Sequence, residues 1–144
     1  MKFASAAARL CCLAAALSFS GCDNSSATTP SSLFTTETFT GSVARGATPL
    51  AAFHTFITGQ NAPVIIRMTA FTPSTVTMGL ALGTPATLPT GAATCSITVG
   101  QAAVQQGAEF IVTLGPATYC IAVFDIGNIP ESTTVTYTTV VQHK

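Results

Sequence analysis

The sequence predicts an all-β domain, an antiparallel β-sandwich, preceded by a signal peptide and a flexible tether. Three observations carry that expectation. From Leu33 onward turn-forming residues recur about every ten positions, the spacing of a sandwich or barrel. Between the turns, apolar side chains alternate with polar ones in the period of two that a half-buried strand requires. Only 7% of residues are charged and 48% are hydrophobic, a balance that suits β-rich packing and not a disordered chain.

The elements follow in order. Residues 34–43 form a first strand, ended by Ala44-Arg45-Gly46, and 50–58 a second, ended by Gly59-Gln60-Asn61. A third strand covers 63–71, with Val64, Ile66 and Met68 on one face. After Thr72-Pro73-Ser74 a fourth covers 75–82, where Val76, Met78, Leu80 and Leu82 share a face. The two prolines of 83–91 mark a loop, because proline lacks the amide a ladder needs. Residues 94–99 are a fifth strand, and 100–107 a polar connection in which Gln101–Gln106 is the only candidate helix. Phe110, Val112 and Leu114 alternate up to the Gly115-Pro116 corner, and Tyr119, Ile121 and Val123 resume the pattern as far as Asp125. The last strand is 132–142, with Val135, Tyr137 and Val141 inward and threonines outward.

Several of these stretches resemble the bacterial pre-peptidase C-terminal (PPC) domain family. Phe39-Thr40-Gly41 opens the first strand, and His54-Thr55-Phe56 precedes a short turn. The alternating strand Val64-Ile65-Ile66-Arg67-Met68 follows that turn. Leu114-Gly115-Pro116-Ala117-Thr118-Tyr119 is similar to the family's corner before a tyrosine, with Ala117 where a glycine is usual, and Val135-Thr136-Tyr137 matches the closing strand. The resemblance covers most of residues 39–141. It implies a compact jelly-roll-like sandwich, a non-catalytic module of the kind that accompanies secreted peptidases.

The amino terminus reads as an export signal. Lys2 and Arg9 are its positive region, residues 10–19 an apolar run, and Ser20-Gly21 small residues before Cys22. Ten residues rise about 15 Å as a helix, half of a ~30 Å hydrocarbon layer, so 1–21 is a removable leader and not a spanning anchor. Phe19-Ser20-Gly21-Cys22 resembles the lipobox of bacterial lipoproteins, with Phe19 where an aliphatic residue is usual. That resemblance implies a thioether-linked diacylglyceryl on Cys22 and a cut just before it. Ordinary secretion with cleavage after Ser20 is the alternative. Residues 22–33 are polar and turn-forming, a tether ahead of a domain at 34–144.

Losing the leader removes Cys11 and Cys12 and leaves Cys22, Cys95 and Cys120, an odd number for an exported chain. Acylating Cys22 leaves Cys95 and Cys120 to pair in an oxidising compartment. Such a bridge closes a loop of about 26 residues, worth ~3.5 kcal/mol in the chain-entropy model. Two buried thiols that never meet are the alternative. The mature chain keeps three cations against five carboxylates, so two net negative charges remain and only a lipid would hold it to a membrane.

Few residues carry chemistry. His54 sits in a strand as a surface or sheet-edge residue, His143 lies next to the end of the chain and frays, and Arg67 points outward along its sheet. No serine lies in a nucleophile elbow, and no spacing of histidines and cysteines suits zinc. Asp125, Asn128 and Glu131 share one loop and are weak calcium candidates, since Asx residues in loops more often cap turns. The basic residues form no stripe that would neutralise phosphates, so no nucleic acid is expected. A sugar platform of exposed rings is not expected either, because Tyr119 and Tyr137 fall on inward faces and tryptophan is absent.

These readings predict an exported, lipid-anchored envelope protein facing the periplasm or cell exterior. Its sandwich would be non-catalytic, need no cofactor, and serve structure or interaction with an envelope partner. The alternative is a module that binds envelope glycan or another ligand, accessory to a secreted peptidase.

Overall fold

The structure, a computed structural model, describes residues 33–49 and 52–144. The leader, Cys22 and nearly all of the tether therefore lie outside the described residues. Eight strands follow in order: β1 (Thr35–Ala44), β2 (His54–Thr58), β3 (Ala62–Thr72), β4 (Met78–Thr87), β5 (Ala93–Val104), β6 (Glu109–Leu114), β7 (Ala117–Phe124) and β8 (Thr134–His143). They build two antiparallel sheets packed face to face, β1-β8-β3-β6 and β2-β7-β4-β5. The predicted sandwich is what the chain forms.

The wiring has a simple logic. β1 pairs with β8, β2 with β7, β3 with β6 and β4 with β5, as though one long hairpin had been rolled up. Two further ladders, β3 with β8 and β4 with β7, seal the roll. This is jelly-roll topology, in which rolling leaves each sheet only two edges.

Alternation positions the core. Val64, Ile66 and Met68 of β3 meet Leu80, Leu82, Ile121 and Val123 of the other sheet, all nearly or fully buried. Each such side chain stabilises the fold by about 1.5–3 kcal/mol relative to exposure. Thr139 is also fully buried, and its hydroxyl donates to Met68 Sδ at 3.0 Å, which removes the cost of an unpaired polar group.

Four expectations need correction. Residues 83–91 are not all loop, because β4 continues to Thr87 through Pro85. β7 pairs with β4 only up to Gly83, so proline costs no ladder bond on that side. Residues 100–107 are not a connection and Gln101–Gln106 is not a helix, since β4 draws β5 on to Val104 by pairing Ala81 with Gly100 and Met78 with Val104. Within the described residues the second strand begins at His54 and the fourth at Met78, both later than alternation suggests. His143 does not fray; it ends β8 and is 5% exposed.

Cys95 and Cys120 come together as a disulfide pair with Cα atoms 5.9 Å apart, joining β5 to β7 across β4. Gly83 lies between them. A Cβ there would stand 1.9 Å from the Ser96 carbonyl oxygen, so only glycine lets β5 come this close.

Candidate functional site

The ionisable residues that chemistry would need gather along one side of the sandwich, where β1 and β2 are edge strands of facing sheets. Phe39 of β1 stacks on His54 of β2 with centroids 4.9 Å apart. His54 Nε2 lies 2.9 Å from the Tyr137 hydroxyl. Burial lowers the His54 pKa and raises that of Tyr137, so both groups are neutral near pH 7 and share a hydrogen bond between neutral partners. Tyr137 reaches this place because its ring lies over Gly41, where a Cβ would meet it within 2.5–2.8 Å.

A second pair lies further along the same seam. His143 Nε2 contacts Glu37 Oε1 at 2.7 Å, and the His143 ring lies 5.5 Å from that of Phe56. Phe56 in turn stacks with Tyr119 at 5.9 Å. At the end of the seam the Thr58 hydroxyl donates to the Gly115 carbonyl and accepts from the Ala117 amide at 3.2 Å, fixing the Gly-Pro corner to β2. Along this row the polar partners of the two histidines are the Tyr137 hydroxyl and the Glu37 carboxylate.

Sequence reasoning places His54 correctly at a sheet edge but misses that its ring turns inward. It misses Glu37 and His143 as partners altogether. Parity holds the clue, because Glu37 shares the inward phase of Phe39 and Val43, and His143 continues that of Val135, Tyr137 and Val141.

The loop with Asp125, Asn128 and Glu131 is joinery. Asp125 Oδ1 accepts from the amides of Gly127, Asn128 and Ile129 at 2.9–3.2 Å, and Oδ2 accepts from Gly46 at 2.7 Å. Burial opposes ionisation of Asp125, but the four amides outweigh it and hold the carboxyl below its ordinary range. Glu131 pairs with Arg45 at 2.7 Å. Both carboxylates thus tie the β7–β8 loop to the turn after β1. Among the described residues no group of three or more potential metal-ligating side chains comes together. Arg67 points outward as expected and pairs with Glu109, its cross-strand neighbour on β6.

A hollow of about 410 Å³ lies on the outer face of the first sheet, lined by Thr40, Ser42, Ala70, Thr72, Thr136 and Thr138 among others. The bulge between Met68 and Ala70 sets the small Ala70 among the taller threonines, and Thr69 bonds the Thr138 carbonyl at 3.1 Å. Nothing in the local sequence pattern marks this uncharged, hydroxyl-lined depression. Compared with known proteins, the chain matches no family model and no curated protein.

Proposed function

We propose that this protein is a lipid-anchored, non-catalytic envelope module whose jelly roll serves structure or interaction outside the cytosol. The pairing of Cys95 with Cys120 carries the reading. It uses two of the three cysteines that follow the leader and leaves Cys22, at the end of a lipobox-like stretch, as the odd thiol to be acylated. A persistent disulfide also suits an oxidising compartment. The sandwich agrees with the resemblance to PPC modules, and the seam histidines and Asp125 are engaged in packing contacts that a non-catalytic role accounts for.

The test of the anchor is labelling of producing cells with a clickable palmitate. The wild-type chain is expected to carry the label and Cys22→Ser to lose it; equal signals from both would end the proposal.

The hydroxyl-lined hollow favours a second reading, a module that binds neutral envelope glycan. Hydroxyls both donate and accept, so they can match a sugar in several orientations. Glycan-array binding that falls when Thr72 and Thr136 are both replaced by valine would support this reading over a purely structural role.

A further inference from the structure

Each sheet of a jelly roll keeps two edges, and unpaired edges invite another strand. Three of the four edges here are poor templates. β2 has five residues and β6 has six. β5 is long but carries two register shifts against β4, with Ala103 at φ 66°. Bulges of this kind turn an edge away from a regular ladder.

β1 is different. All ten of its residues pair with β8 without a register shift, and it holds no proline or lysine. Its outward side chains, Thr36, Thr38, Thr40 and Ser42, are exposed and uncharged. Its one charge, Glu37, points inward, where such a residue can guard an edge, but His143 already partners it at 2.7 Å.

We infer that two copies of this chain join along β1, antiparallel about a two-fold axis at Phe39, to make one continuous eight-stranded sheet. The sequence of β1 is self-complementary in this register. Thr38 faces Thr40 of the second copy, Thr36 faces Ser42, and Phe39 faces Phe39, while Glu37 faces Gly41 and not another carboxylate. Cross-strand pairs of hydroxyl and aromatic residues are the ones that stabilise antiparallel ladders. A two-fold axis between residues is excluded, because it would set the inward face of one copy beside the outward face of the other. The outward side chains of the strand carry no charge and so offer no signal for a foreign partner of either sign. The inference goes beyond the anchoring reading and does not depend on it.

The test is sedimentation equilibrium of the full exported chain in density-matched detergent, with circular dichroism as the folding check. The wild type is expected as a dimer. Thr38→Lys with Thr40→Lys is expected as a monomer, since like charges then face each other across the axis. Mixing it with Thr38→Glu, Thr40→Glu chains is expected to restore a dimer of one copy of each. Should the double variants fold poorly, Thr38→Cys chains mixed with Thr40→Cys chains are expected to cross-link, while Thr136→Cys chains, one strand inside the edge, are not. A wild type that is monomeric at tens of micromolar overturns the inference. So does a dimer indifferent to the lysines, or a mixture of Cys variants that links no better than Thr136→Cys.

Discussion

The imidazole of His54 and the phenol of Tyr137 meet at 2.9 Å between the two sheets, with Phe39 stacked on the histidine ring. A neutral imidazole fits this place because it shares a hydrogen bond with the tyrosine and lies flat against an apolar ring. A protonated one brings a charge that half-burial disfavours.

This pairing makes stability depend on pH with a definite sign. The folded-state pKa of His54 lies below 6.5, so the unfolded chain binds the proton more readily. The contribution of the neutral ring is complete above pH 6.5 and is lost as pH falls from 6.5 through the lowered folded value. The urea midpoint is therefore expected to drop between about pH 7.5 and 5. His54→Gln keeps an acceptor for Tyr137 but does not titrate, and should shrink that drop even if it lowers stability throughout. An undiminished drop in the variant would assign the effect elsewhere.

Asp125 gives a second prediction, with amides rather than burial as the cause. Four amides hold its folded pKa below the ordinary 3.8, so its contribution is complete above that pH and fades as pH falls through the lower folded value. Asp125→Asn can keep the three bonds of the Asx turn on its oxygen. Its amide nitrogen then faces the Gly46 N–H, donor against donor. A loss of about 1–2 kcal/mol, read as a lower thermal midpoint at neutral pH, is expected from one broken cap of this kind. EDTA is expected to leave the wild-type midpoint unmoved, since both oxygens of Asp125 and the Glu131–Arg45 pair are already engaged. A fall in the midpoint on chelation would return the loop to the calcium reading.

Alternation alone makes most of the sandwich legible in the sequence. Val64, Ile66 and Met68, or Val135, Tyr137 and Val141, can be assigned to the core because one face of each strand is buried and the other is wet. The reading fails where that condition fails. In β4 both faces are buried from Met78 to Gly83, so small residues there look like breakers when they are close contacts. Pro85 and Gln101 of β5 mislead for a related reason, because ladder pairing from a neighbour overrides local preference. The seam is half visible. Parity points Glu37 and His143 inward, but their meeting joins residues 106 apart, and no local pattern encodes that.

Gly83 provides the sharpest steric test. A methyl group there would collide with a backbone oxygen, which cannot rotate away as a side chain could. Gly83→Ala must push β5 from β4 or break their ladder, at an expected cost of about 2–3 kcal/mol or more. Gly59→Ala is the control, since its Cβ would meet only Lys144 backbone at 3.8–3.9 Å. Equal urea midpoints for the two variants would show that β5 does not lie as close as described.

The Cys95–Cys120 bridge crosses the strand that Gly83 belongs to, and its removal should act in two separable ways. Replacing both cysteines by alanine frees the unfolded chain, at a cost of about 2–4 kcal/mol for a loop of this size. That term lowers the global urea midpoint and raises exchange at every amide that opens only on complete unfolding. The second effect is local. β5 is an edge strand whose residues 96–101 are exposed, and among the described residues β4 is its only ladder neighbour, so the bridge is its covalent link to β7. Amide exchange in β5 should therefore rise more than in the central strands β3 and β8 once the bridge is gone. The oxidised chain should also weigh about two daltons less than the reduced one. If exchange rises equally in β5 and β3, the bridge acts through the unfolded chain alone, and the geometry around Gly83 has no part in holding that edge.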